Sequence, residues 1–229
     1  MTANKYGNFL TIILVILIIG ILVGLTFLGY NMIKDKGSEE RKKEAMQEFD
    51  KNAGTVEDKP SDENLNENIE DEGITIVGPN QSQGSSNGGN GKKKTYHEGF
   101  VMIGRITIPK TNVKEPILDT VSPASLDVAV AALYPSNPQL NEPGNVVIIG
   151  HNYRNGKFFS DNDKLSVGDK ISIKDESGRE LTYKIYKKFQ TTEQDTSFYT
   201  RDTKGAVEIT LSTCTDDSKA RIIILARAE

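Results

Sequence analysis

The sequence predicts a mainly β fold: a closed or nearly closed barrel of seven to eight strands with one or more short helices, preceded by a single transmembrane helix and a linker. Three observations predict it. An uninterrupted apolar run occupies 9–30, and a polar stretch rich in acids, Asn, Ser and Gly fills 31–95. Residues 96–229 then carry a series of short segments of strand length, either alternating or continuously apolar, separated by turn residues. The chain accordingly divides into a short tail (1–8), a membrane helix (9–30), a flexible linker (31–95) and a barrel domain (96–229).

Composition removes several classes of function. Among 229 residues, 28 are Lys or Arg and 32 are Asp or Glu, a net charge of −4. A nucleic-acid binder needs a basic excess, so no nucleic-acid partner is expected. One cysteine forms no internal disulfide, and with only two histidines there is no Cys/His metal cluster. No cofactor is required by anything in the sequence.

No charged side chain lies between Lys5 and Lys34. At 1.5 Å per residue, the run from Phe9 to Tyr30 makes a helix of about 33 Å, long enough for a hydrocarbon core of about 30 Å. It is too long for the apolar region of a cleaved signal peptide, and it is apolar on every face. Lys34, Lys36, Arg41, Lys42 and Lys43 follow it, which by the positive-inside rule favours a cytoplasmic C-terminal part.

Within 31–95, Ser38–Asn52 reads as a short charged helix with Ala45, Met46 and Phe49 along a thin apolar edge. Glu57–Glu72 holds eight acidic residues and one lysine, and Asn80–Gly91 is only Asn, Gln, Ser and Gly. Both compositions suit a solvated tether.

The barrel elements follow in order. Phe100–Ile108 is β-rich and stops at Pro109, and Val113–Leu118 is a second short strand. Ser122-Pro123 reads as an N-cap followed by proline at the first helical position, opening a helix to about Leu133. Asn145–Gly150 is a continuous apolar run, as in a strand covered on both faces. Lys170–Lys174 and Leu181–Ile185 alternate around a turn at 176–179. Val207–Thr213 and Arg221–Ala226 supply the last two strands.

The only cysteine stands at the end of one of these. Alternation puts Val207, Ile209 and Leu211 on one face, with Glu208, Thr210, Ser212 and Cys214 on the other. Cys214 thus lies on the polar face, unlike a cysteine that serves as a small core residue. Six residues separate it from Arg221, so the two strands form a hairpin with Cys214 and Arg221 across its mouth. A guanidinium there favours the thiolate and can donate to an oxyanion, unless it merely binds Asp216 or Asp217. His151, where the buried strand leaves the core, is the candidate base, its alternative being a part-exposed loop histidine. His97, at the linker boundary, is the weaker candidate. Spacing alone does not bring His151 to Cys214.

These residues resemble the sortases, cysteine transpeptidases of Gram-positive cell surfaces. TLSTC followed by Arg221 is similar to the family's catalytic strand pair, and GNVVIIGHN to the segment bearing its histidine. IGRITIPK, SLDVAVAALYP and LSVGDKISI resemble its first strand, following helix and next strand. The resemblance implies Cys214 as nucleophile, His151 as general acid/base, Arg221 as substrate or oxyanion stabiliser and Thr213 as a substrate contact. It implies cleavage of an LPXTG-like sorting signal between Thr and Gly, and transfer of the acyl group to an amine of peptidoglycan or its lipid-linked precursor. Partners are then sorting-signal peptides, the amine acceptor and the membrane. The domain faces outward despite the flanking charge, since long domains translocate regardless of it. Calcium activation, known in part of the family, is not assigned: Asp161, Asp163, Glu193 and Asp195 read equally as solvated loop charges. The stretch 187–205 has no long helix, unlike the branch that anchors haem-transport proteins, and neither a lid segment nor a C-terminal anchor of the pilus-building branch is visible. The alternative function is a membrane-tethered, non-catalytic barrel that binds peptides or cell-wall fragments. The Ser-x-Gly-Cys pattern of transpeptidases that cross-link peptidoglycan directly is absent.

Overall fold

The computed structural model describes residues 3–54 and 93–229; the acidic run at 57–72 and the stretch 80–91 lie outside them. Helix α1 (Ala3–Asn52) is followed by strands β1 (Thr95–His97), β2 (Phe100–Ile108) and β3 (Val113–Leu118), then a one-turn helix α2 (Pro123–Leu126). Next come β4 (Val130–Tyr134), β5 (Gly144–Ile149), β6 (Lys170–Asp175), β7 (Glu180–Thr191), β8 (Val207–Cys214) and β9 (Arg221–Ala228). The strands run in the order β1-β2-β3-β4-β5-β8-β9-β7-β6, and β6 pairs back onto β2. Eight strands therefore close into a barrel, and β1 adds to the outside of β2.

Period-two alternation builds the interior. Ile106, Ile117, Ile148, Ile173, Ile209 and Ile224 meet inside, with Tyr183 and Leu211 fully buried among them. Most neighbours are antiparallel, but β3–β4 and β5–β8 are parallel. The β5–β8 pairing joins segments some sixty residues apart and sets the site.

One predicted element is different. The helix opening at Ser122 is present, with Ser122 and Ser125 forming a reciprocal capping box, but it ends at Leu126 rather than Leu133. The alanines of VAVAALY favour a helix in isolation. Instead Val130 and Ala131 pair with Ile117 and Leu118, and Ala131 and Ala132 pair with Ile149 and Ile148. Without β4 the barrel stays open, so tertiary pairing overrides local preference. Strand β7 also runs past the predicted Ile185 to Thr191, along β9.

The apolar stretch Phe9–Tyr30 has a mean hydropathy of 3.1 and buries none of its surface in the molecule. Its helix continues without a break to Asn52. The segment 31–95 is therefore not a tether from its start: the predicted apolar edge docks on the barrel. Phe49 is 2% exposed and packs with Ala45 against Met102, Leu118, Ala129 and Ala131. Lys42 pairs with Glu115, Asp50 with Lys174, and Asn52 donates to Thr95 Oγ1. Amphipathic packing converts a marginal charged helix into a fixed one.

Candidate active site

Cys214 and Arg221 are the last directly opposed pair of the β8–β9 hairpin. One guanidinium nitrogen, Nη1, donates to Cys214 Sγ, and Nη2 donates to Glu193 Oε1 at 2.7 Å. Asp216 and Asp217, the other partners considered for Arg221, are engaged elsewhere: Asp216 accepts from Asn152 and Asp217 from Thr215.

His151 arrives from the other side of β8. The β5–β8 ladder ends at Ile149↔Ser212, and Gly150 N–H donates to Ser212 O at 3.3 Å. Two residues further on, the parallel register brings His151 level with Cys214. Gly150 permits this close passage, since a Cβ there would stand 2.8 Å from Val130 and 2.9 Å from Phe159. Asn152 Nδ2 then donates to Cys214 O at 3.1 Å and to Asp216 Oδ1 at 2.8 Å, tying the two strand ends together. Thiol, imidazole and guanidinium thus share one rim, at the ends of three adjacent strands, and each is part exposed.

The imidazole has an aromatic neighbour. Tyr153 lies with its ring centroid 4.9 Å from that of His151, and its hydroxyl donates to Asp127 Oδ1 at 2.7 Å. Burial, reinforced by Asp127, pushes the Tyr153 phenol up to about 12, so it remains a donor. Beside the rim, Val147, Ile223, Leu225 and Phe198 form an apolar cluster, against which Leu133, Ile149, Phe189 and Tyr199 are part buried.

The polar face of β8 is not open along its length. Glu208 is 2% exposed and Thr210 fully buried, because the 192–206 loop lies over them. Asn145 donates to the carbonyls of Phe198 and Tyr199, while Arg201 donates to Asn145, Thr210 and Glu208. Glu208 also accepts from Arg227 at 2.8 Å and from Tyr186 at 2.9 Å. Burial pushes its carboxyl up, but Arg227, Tyr186 and Arg201 outweigh it and hold the pKa below the usual carboxylate range. The loop so fixed carries Glu193 to Arg221.

Thr213 and His97 are both buried. Thr213 is 3% exposed and its hydroxyl donates to Gly150 O at 2.8 Å. Its side chain holds the carbonyl of the residue before His151. His97 is 2% exposed in β1, with Nε2 3.3 Å from Val128 O, and burial holds its pKa below the ordinary histidine value. It is a buried residue of the helix-docking side. The acidic loop residues have side-chain partners: Asp161 pairs with Lys164, and Asp195 accepts from Thr191 and Ser197. Among the described residues, no group of three or more His, Cys, Asp or Glu is arranged to hold a metal. Sequence reasoning missed Asn152, Tyr153 and Asp127, and it read Glu193 without its pairing to Arg221. All four act from loops or turns whose placement has no periodic signal.

The fold is a closed mixed barrel with a thiol, a guanidinium and an imidazole on one rim. The family model for the sortase domain matches residues 106–229, more than half of the chain, and the chain belongs to the sortase family. Similar solved structures include a lid mutant of sortase A from Corynebacterium diphtheriae, at 25% identity and a TM-score of 0.51, covering 56% of this chain and 70% of that one. A pilus-related sortase C of Group B Streptococcus is similar at 26% identity and 0.51, covering 56% and 67%. A sortase D5 transpeptidase of Clostridium perfringens is similar at 27% and 0.50, covering 56% and 79%. No curated protein sequence matches the chain. The family is one of cysteine transpeptidases, and Cys214 is the chain's one cysteine.

Proposed function

We propose that the protein is a membrane-anchored transpeptidase that cleaves an LPXTG-like sorting signal between Thr and Gly and joins the new acyl end to a cell-wall amine. The observation that carries this reading is Arg221, which touches Cys214 Sγ with one nitrogen and is held by Glu193 through another. The cation thus stands on the sulfur that would attack the substrate. The same guanidinium, with donors to spare, is suited to the oxyanion that forms when the thiolate attacks the threonine carbonyl.

In the first half-reaction a C–S bond forms and the Thr–Gly C–N bond breaks, with His151 giving its proton to the leaving amine. In the second, an acceptor amine attacks the thioester carbonyl, His151 takes the amine's proton, and the C–S bond breaks to restore the thiolate. A thioester conserves acyl energy for this transfer. The apolar cluster beside the rim suits the leucine and proline of such a signal. The apolar helix Phe9–Tyr30 would hold the enzyme in the membrane with the barrel outside, close to secreted substrates and lipid-borne acceptors.

The test is incubation of the full chain, in detergent micelles, with a library of sorting-signal peptides and an amine. Threonyl-amine products from the wild type, and none from Cys214→Ala of unchanged melting temperature, support the proposal. Transfer that survives Cys214→Ala refutes it.

A further inference from the structure

The chain around His151 is held to the cysteine strand by side chains once the strand ladder has ended. Backbone pairing of β5 with β8 stops at Ile149↔Ser212, and the Gly150 N–H adds one more bond to Ser212 O at 3.3 Å. From there the backbone bonds turn away from β8. His151 O accepts from the Phe159 N–H at 3.1 Å, and Asn152 makes an isolated antiparallel bridge with Phe158. His151 is thus bonded by its backbone into its own loop, while Cys214 belongs to the β8–β9 hairpin. Side chains bridge the two units. Thr213 Oγ1 donates to Gly150 O at 2.8 Å, and Asn152 Nδ2 donates to Cys214 O at 3.1 Å and to Asp216 Oδ1 at 2.8 Å. Further out, Arg154 Nη2 donates to Ser218 Oγ at 3.2 Å.

Asparagine suits this bridge because one amide serves three partners. Asn152 Oδ1 accepts from the Arg154 N–H at 3.0 Å while Nδ2 reaches Cys214 O and Asp216. A backbone N–H only donates, and a carbonyl or carboxylate oxygen accepts, so the partners dictate which end of the amide faces which. Asn152 follows His151 directly and grips the carbonyl of Cys214 itself. With Thr213 on Gly150, the residues on both sides of His151 are therefore bonded to Cys214 or its neighbour. The Tyr153 ring, its centroid 4.9 Å from that of His151, adds a wall for the imidazole. An aspartate at 152 would have the same shape and no donor, and it would face two acceptors.

On the transpeptidase reading above, we propose that Asn152 is a positioning residue: its amide carries the β5–β8 register past the last backbone bond and holds the His151 loop where the imidazole meets the leaving amine. As the C–S bond to Cys214 forms and the C–N bond breaks, the departing nitrogen takes its proton from His151. A displacement of about 1 Å at such a point costs about a hundredfold. A leaving group that departs as a stable anion needs no such proton, and an aryl thiolate is one. The same acyl chain carried as an aryl thioester asks only for the thiol of Cys214 and the guanidinium of Arg221. The bond that breaks therefore reports on the placement of the imidazole separately from the rest of the site.

The experiment uses the full chain in micelles and two donors with one acyl chain, a sorting-signal peptide and the corresponding aryl thioester. Release of each leaving group is followed in a single turnover at saturating donor, so that later transfer to an amine does not enter. Asn152→Asp should slow release from the peptide about thirtyfold or more, and from the thioester less than about threefold. Asn152→Ala, which lacks the donors and adds no charge, should show the same contrast, and it decides if Asn152→Asp does not fold. Arg221→Lys is the control and should slow both donors, because both need the guanidinium. Equal or greater slowing of the thioester in the Asn152 variants would overturn the proposal, since the amide would then support the site as a whole. Unchanged rates on both donors would overturn it too. Either result leaves the transpeptidase reading in place. A wild type that cuts no peptide overturns both.

Discussion

Replacing Phe49 by alanine separates the docked helix from the barrel as an energetic unit. The ring is 2% exposed and wedged among Ala45, Met102, Leu118, Ala129 and Ala131. Burying a phenylalanine contributes about 1.5–3 kcal/mol, and with the cavity left behind a Phe→Ala change costs about 3–5 kcal/mol. The surrounding ion pairs, Arg41–Glu98, Lys42–Glu115 and Asp50–Lys174, add at most about 1 kcal/mol each where exposed. Removing the ring therefore takes away a large part of what holds the helix down. If undocking is a local opening, its free energy falls by about 3 kcal/mol or more, which is at least a hundredfold in exchange rate. The assay is amide hydrogen exchange on the full chain in micelles. Amides from Ala45 to Ala53 should exchange about a hundredfold faster in Phe49→Ala, while those of Ile223 and Ile224 in the central strand β9 keep their rates. Equal loss of protection in β9 would show that the helix is part of the barrel's own cooperative unit. Unchanged exchange at Ala45–Ala53 would refute the docking argument outright.

Docking also changes what cutting the chain accomplishes. With a protease site inserted between Asn80 and Gly91, the cut wild type should remain one species on gel filtration in micelles, and Phe49→Glu should let the barrel separate. Lysine at Arg221 lacks the planar fork that reaches Cys214 and Glu193 together, so Arg221→Lys should lower peptide cleavage about a hundredfold or more with little change in melting temperature. His97→Ala should cost about 1–3 kcal/mol in a denaturant titration and leave cleavage per folded molecule intact, because the ring is buried away from the rim. Two carboxylates bend the pH profile of stability in opposite senses. Burial raises Glu115 to about 6 against an unfolded value of 4.5, so its stabilisation is complete below about 4.5 and declines by about 2 kcal/mol as pH rises through 6. Glu208 is held low, so its contribution is present above 4.5 and is lost as pH falls below that. Denaturant midpoints across pH 3–8 should show a maximum near 4.5–5, which Glu115→Gln flattens on its alkaline side.

The sequence was most legible where a rule is local. Alternation in VEITLSTC assigned the faces of that strand, and the six-residue connection put Cys214 opposite Arg221, as the ladder has it. His151 was different. Its place beside Cys214 depends on a parallel pairing between β5 and β8, and no local pattern states which strands become neighbours; only the resemblance to a family pointed there. The apolar edge at Ala45 and Phe49 was visible, but its partners were not. Met102, Leu118, Ala129 and Ala131 lie on three different segments, and two of them were read within a helix that the barrel converts to strand. Glu193 resembled any solvated loop acid until Asn145 and Glu208 fixed the loop that carries it.

The parallel β5–β8 ladder has a consequence for how such a protein can change. The separation of thiol and imidazole is set by backbone pairing that ends at Ile149 and Ser212, inside the barrel wall. The stretches that flank this rim, 152–169, 192–206 and 215–220, bond to the wall by backbone mainly at their ends, as at Asp169 and Ala206. Lengthening or rewriting the middle of one of them changes the surface around the rim, while the spacing of thiol and imidazole is inherited from the ladder. Within those stretches only a few positions are tied to the ladder's end, among them Asn152 on Cys214 O and Glu193 on Arg221, and the rest can vary without moving it.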